Sequence, residues 1–283
     1  MVKDKSIQFR KGKDIAFKGL IILLTSVTTL PLLLVLYYIF KKGISSINWD
    51  FLVNLPKPVG EVGGGIFNAL IGSGLIILVA CIIAVPFGIA IGVYLSEFKS
   101  SKIAYYTVLA VDVLQGVPSI VIGIIIYIWV VKPMGGFSAL AGSIALSLIM
   151  LPTIVKSVEE TLKLIPHSLK EASLALGVPY YKTVMKVIVP AGISGILSGT
   201  ILSIARIAGE TAPLLFTALG NQFTNTNMLK PMSSLPLVIF NYAITAYPDW
   251  QKLAWGASFM LIMFIFILNI LTKIAEKRWR VQL

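Results

Sequence analysis

The sequence predicts an all-α polytopic membrane protein with six transmembrane helices and both termini on the cytoplasmic side. Three observations predict it. Of 283 residues, 57% are hydrophobic and only 13% charged, whereas soluble domains run at about half apolar and about a quarter charged. Apolar runs long enough to cross about 30 Å of hydrocarbon, at about 1.5 Å per helical residue, recur along the chain. Lys and Arg are divided unequally between alternate connections, as expected when positive residues resist translocation.

The first apolar run covers residues 19–40 and follows a basic segment, 1–18, that carries six Lys and Arg. A signal peptide also begins this way, but this run is long and no small-residue cleavage site follows it, so it reads as a retained helix. Runs at 66–95, 104–131, 137–155, 189–219 and 252–272 complete the six. The patch LPLVIFNYAITA at 235–246 is too short to cross and reads as a re-entrant or interfacial helix. Segments 1–18, 96–103, 156–187 and 273–283 hold 17 of the 24 Lys and Arg; Lys41, Lys42, Lys57, Lys132, Lys230 and Lys252 lie on the other side, and Arg206 lies between. The net charge of +12 is largely this bias, with contact to the anionic lipid bilayer, so no nucleic acid is expected as a partner. Cys81 stands alone within the second run, which excludes a disulfide and a cysteine-based metal site.

The chain therefore divides into a basic cytoplasmic N-terminus, 1–18; a first helix with an outside loop, 19–65; a membrane core, 66–273; and a cytoplasmic tail, 274–283. Outside loops 41–65 and 221–250 read as an irregular cap over the outer mouth. The inside connection, 156–187, contains its own helix. Ser168, Leu169, Lys170 and Glu171 form an S-x-x-E capping box, which predicts a helix over 169–176. Gly177 supplies a left-handed stop and Pro179 prevents continuation. So short a helix does not persist alone in water. It packs either on the protein's own cytoplasmic face or on a docking partner, and Ala172, Ser173 and Ala175 permit close approach.

Charges inside the apolar runs are the candidate functional residues, because a charge at mid-bilayer costs about 3 kcal/mol on insertion scales and such groups usually face the protein interior. Arg206 and Glu210 stand four apart in SIARIAGETAPLL, on one face if the helix continues. They either neutralise each other as a packing device or serve a passing anion, with Arg206 binding the oxyanion and Glu210 either holding Arg206 when it is absent or accepting a hydrogen bond from a protonated anion. A buried pair contributes little net stability, and Arg suits multidentate oxyanion recognition. Asp112 lies within the third run, before Gly116 and Pro118, where it partners Arg206 or backbone amides loosened near the proline.

The segment EASLALGVPYYKTVMKVIVP, Glu171 to Pro190, resembles the EAA loop of ABC importer permeases: E-A-A, three residues, Gly, nine residues, I-x-L-P. It departs at Ser173, Val187 and Val189. DVLQGVPSIVIG at 112–123, ARIAGETAPLLFTALG at 205–220 and MSSLPLVIF at 232–240 resemble the A-type permease of phosphate-specific ABC transporters, the PstA family, over about 65–273. The resemblance implies the type I ABC importer permease (MetI-like) fold in a prokaryotic plasma membrane. It also implies a homologous C-type permease partner, two ATPase subunits, an extracytoplasmic phosphate-binding protein, and inward passage of inorganic phosphate by alternating access. Arg206, Glu210, Asp112 and Thr211 are the candidate pathway residues; Glu171, Ala172, Ser173 and Gly177 are the candidate coupling residues. No G-x-x-x-x-G-K-[ST] phosphate loop occurs, so no cofactor is expected in this chain, and ATP with Mg belongs to the partner ATPase. Alternatives are a permease for another small anion, or an autonomous channel or secondary carrier, which leaves the EAA spacing unexplained. An intramembrane enzyme has little to build on: the only histidine, His167, is in the cytoplasmic connection, and neither H-E-x-x-H nor G-x-S-x-G occurs.

Overall fold

The structure, a computed structural model, describes residues 2–61 and 63–279, and the side chains at 9–61 and 63–274. The part of the expected tail beyond residue 279 lies outside the described residues. Helices are the only regular secondary structure among the described residues. In order they are α1 (Val2–Ile44), α2 (Trp49–Val53), α3 (Phe67–Glu97), α4 (Lys102–Gly116), α5 (Ser119–Ile126), α6 (Ala139–Lys163), α7 (His167–Ala175), α8 (Tyr180–Thr183), α9 (Val189–Ala191), α10 (Ile193–Ala208), α11 (Ala212–Leu215), α12 (Leu235–Ala243) and α13 (Pro248–Trp279). Single π-helical turns extend α5 over Tyr127–Val131 and join α8 to α9 over Val184–Ile188.

Segments Phe9–Ile44, Phe67–Glu97, Ala139–Lys163 and Pro248–Ile274 are each long and apolar enough to cross a membrane. Two bent pairs, Lys102–Gly116 with Ser119–Val131 at 103° and Tyr180–Ala191 with Ile193–Ala208 at 66°, bring the count to six when each pair forms one span. The first bend has a local cause: Pro118 disfavours the helical region for the residue before it, and Val117 is extended at φ −71°, ψ 128°.

Helix α6 is the centre of the bundle, packed on α3, α10, α4 and α5. Its apolar window is 67% buried, against 0% for α1, which touches the rest through α13. Close backbone approach makes this possible. A Cβ at Gly92 of α3 would fall 2.6 Å from Val158, and one at Gly199 of α10 would fall 1.8 Å from the Ser157 hydroxyl. Small residues at such crossings are the usual membrane solution, because lipid supplies no hydrophobic drive to bring helices together.

Several boundaries differ from the sequence expectation. The fourth run does not end at 155: α6 continues to Lys163, so Lys156 belongs to a helix and not to a loop. The fifth run does not reach 219: α10 stops at Ala208, because Pro213 lacks an amide proton and its ring would clash with the carbonyl of Gly209 in a continuous helix. Loop 41–65 includes α2, whose first turn is capped by the Asn48 side chain accepting from the Phe51 amide at 2.7 Å. Phe51 is buried, and a Cβ at Gly256 of α13 would meet its ring at 2.6 Å. The short patch near 235 forms the nine-residue helix α12, too short to span.

Candidate functional site

Where α10 ends, Gly209 donates to the Arg206 carbonyl at 3.3 Å and Glu210 to the Ile207 carbonyl at 3.1 Å. This turn takes Glu210 off the helical stripe, and no Arg206–Glu210 ion pair forms among the described residues. Both nevertheless line one cavity of about 150 Å³, with Gln115 of α4, Pro118 and Ser119 at the first bend, and Pro152 of α6. The expected pair is therefore replaced by two separated charges facing a shared space, since the helix that would have aligned them stops. Gly123 lets α5 close against this turn: a Cβ there would meet Pro213 Cα at 2.7 Å. Thr211 is outside the cavity wall; its carbonyl accepts from the amides of Leu214 and Leu215 at the start of α11.

Asp112 bonds neither Arg206 nor a loosened amide. Its Oδ1 lies 2.8 Å from Lys156 Nζ, the side chains being 51% and 26% exposed. Sequence reasoning counted Lys156 among loop cations and so missed it; extending the amphipathic pattern of α6 past 155 is the signal that finds it.

A second site is built at the end of the bundle that carries the basic connections. The capping box of α7 is absent, because Pro166 is the N-cap at φ −59°, ψ 134° and Ser168 already lies within the helix. The C-terminal stop forms as a Schellman motif: Gly177, at φ 78°, donates to Leu174 O at 2.9 Å and Val178 to Ser173 O at 3.3 Å. Ser173 is buried, and its hydroxyl hydrogen-bonds Thr183 at 2.9 Å, tying α7 to α8. Glu171 and Ala172 are exposed on the outer side.

Lys170 anchors the other flank. Its ammonium donates to Glu97 at the end of α3, and to the Tyr180 hydroxyl at 3.0 Å, while Tyr180 also donates to Glu97. Burial alone would lower the Lys170 pKa, but hydrogen bonds to Glu97 and Tyr180 outweigh it and hold it above the ordinary lysine value. This network was not foreseen, since it joins residues far apart in sequence. Beside it a cavity of about 360 Å³ is bordered by Glu97, Lys99, Ser101, Lys163, His167 and Lys170. No group of three or more His, Cys, Asp or Glu suited to a metal ion occurs among the described residues.

A bundle with bent helix pairs, a charged cavity between them and a short helix pinned at the end that carries the basic connections suits a membrane permease. Solved structures place its fold: the chain is similar to the MetNI methionine ABC transporter in an inward-facing conformation, with TM-score 0.61 at 18% identity over 76% of this chain and 94% of that one. It is also similar to an amino acid ABC transporter solved with histidines, with TM-score 0.52 at 17% identity over 75% and 92%. Residues 84–281 match the family described as binding-protein-dependent transport system inner membrane component. The chain belongs to that family and, within it, to the PstA permeases. It is 42% identical to the phosphate transport system permease protein PstA of Yersinia pestis over 86% of this chain and 83% of that one. The identity is again 42% to the PstA of Pasteurella multocida, over 85% and 86%, and 38% to that of Mycobacterium leprae, over 86% and 82%.

Proposed function

We propose that this chain is the permease subunit through which an ATP-driven importer moves inorganic phosphate inward by alternating access, in a prokaryotic plasma membrane. The observation that carries the reading is Arg206 on the wall of the bundle's 150 Å³ cavity, beside Gln115 and Ser119. An Arg fork and neutral hydrogen-bonding groups suit a tetrahedral oxyanion. Glu210 on the same wall can accept from a protonated phosphate oxygen, which a fully ionised anion of similar shape does not offer. The phosphate named for the PstA relatives agrees with this chemistry.

A phosphate-binding protein delivers the anion to the outer mouth, and a C-type permease supplies the facing wall. Two ATPase subunits bind ATP with Mg; this chain supplies no ATP site and does no hydrolysis. Closure of the ATPase dimer displaces α7, with exposed Glu171 and Ala172 toward the ATPase and Ser173 and Gly177 keeping the helix in shape. Asp112, paired with Lys156, lies beside the same route, and Thr211 stays outside the cavity wall.

The test is uptake of radiolabelled phosphate into vesicles holding the complete complex, comparing wild type with Arg206→Gln after all subunits are shown to co-purify. Uptake should fall about tenfold or more, as when one partner of a close charged contact is truncated. Undiminished uptake with intact assembly removes Arg206 from the path and overturns the reading.

A further inference from the structure

The Asp112–Lys156 pair sits in a telling place. Asp112 precedes Gln115 by three residues on α4, and Lys156 follows Pro152 by four on α6; Gln115 and Pro152 both line the Arg206 cavity. Residues at those spacings share a helix face about one turn apart. Helix α4 starts, and α6 ends, on the side carrying the basic connections. The ion pair therefore lies about one turn to the cytoplasmic side of the cavity.

The pair is not what holds these helices together. Val111 and Val155, each adjacent in sequence to one of its members, are buried in an apolar cluster with Leu95 and Ala104, which already fixes α4 on α6. A partly exposed ion pair adds little to such a contact. Nor does exposure mean contact with lipid, because charged side chains on spanning helices face the protein interior or a water-filled space. On that rule the Asp112–Lys156 pair faces an internal space, about one turn from the cavity that Arg206 and Glu210 line.

We propose that Lys156 is a second anion-binding residue of the translocation path and that its pair with Asp112 closes the cytoplasmic end of the Arg206 cavity. The inference rests on the pathway reading of Arg206. With the cavity empty, Asp112 holds Lys156. An anion leaving Arg206 takes Lys156 from Asp112, since a phosphate offers more negative charge and more acceptor oxygens than one carboxylate. Release follows because the Lys ammonium is a strongly hydrated point charge that grips an oxyanion without the Arg fork. The order Arg then Lys thus runs from stronger to weaker hold along the inward direction, and Asp112 re-forms the closure behind the departing anion.

The experiment uses the complete complex in proteoliposomes with radiolabelled inorganic phosphate. It compares wild type, Arg206→Gln, Lys156→Gln, Asp112→Asn and the exchange variant carrying both Asp112→Lys and Lys156→Asp. Lys156→Gln is expected to assemble and to lose about tenfold in maximal uptake rate, with the half-saturating phosphate concentration unchanged, because capture occurs upstream. Asp112→Asn should raise efflux of preloaded phosphate without ATP about threefold or more, as a closure that no longer seals. The exchange variant restores an ion pair but puts the carboxylate on α6, so uptake should stay low. Wild-type uptake in Lys156→Gln, or recovery of uptake in the exchange variant, would make the pair a structural clip and overturn the proposal while leaving Arg206 in place. Failure of Lys156→Gln to assemble, with rescue by the exchange variant, would do the same. Undiminished uptake in Arg206→Gln removes the shared pathway reading and this inference with it.

Discussion

Ser173 shows how one residue reports on its surroundings. The EAA pattern has Ala there, and small size alone would make Ser an idle replacement. Instead its hydroxyl meets Thr183, which is wholly buried, at 2.9 Å. Removing one member of a buried hydrogen-bonded pair leaves the other unsatisfied, at about 1–3 kcal/mol, whereas removing both is nearly neutral. Ser173→Ala should therefore lower the thermal midpoint of the purified complex, and Ser173→Ala with Thr183→Val should recover most of the loss. Equal midpoints for wild type and Ser173→Ala would show that the bond contributes nothing. Arg206 is the opposite case: its type and apolar setting made it a candidate, but its relation to Glu210 depended on whether the helix ran on. Residue chemistry was legible there; the partner was not.

At the scale of elements, the same division between local and distant causes explains which boundaries the sequence foretold. The end of α7 was legible because a left-handed glycine followed by a proline is local chemistry, and Gly177 does stand at φ 78°. The start was misplaced because two local signals compete, and Pro166, with its φ already fixed, leaves Ser168 inside the helix. The end of α10 was missed because hydropathy does not register Gly209 and Pro213 inside an apolar run. The anchors of α7 were beyond reach altogether, since Glu97, Lys170 and Tyr180 are joined only by the fold. Two predictions belong to this helix. Gly177→Val forces a β-branched residue into the left-handed region, costing about 1–2 kcal/mol, and should unwind the last turn. ATP hydrolysis by the assembled complex should continue while phosphate uptake per ATP falls. Glu97→Gln removes the charge that holds Lys170 and Tyr180 and should loosen α7 from α3, read as faster amide exchange over 167–175 with the rest of the chain unchanged. Unaltered exchange there would mean that the Ser173–Thr183 tie alone fixes the helix.

For the whole molecule, the sequence's division of Lys and Arg fixes a direction for every span, and the bent pair Lys102–Val131 is where that direction is most at stake. A chain bent by 103° either crosses, as six spans require, or turns back to the side it came from. The two cases place the following turn on opposite sides of the membrane and reverse the sense of α6. Helix α6 carries Lys156, Glu159, Glu160 and Lys163 at its end and none of Lys, Arg, Asp or Glu from Ala139 to Val155; the two Lys suit an end in the cytoplasm and a start outside. Gly136 tests this directly, because it is exposed and a side chain there would meet nothing within 4 Å. In a Cys81→Ser background, Gly136→Cys and Ser45→Cys should react with a membrane-impermeant maleimide added outside right-side-out vesicles. Ser100→Cys, in the turn between α3 and α4, should react only in inverted ones. Labelling of Gly136→Cys from the cytoplasmic side alone would make α4 and α5 a re-entrant loop. The Arg206 cavity, whose wall is built from that bend, would then open toward the cytoplasm and not across the membrane.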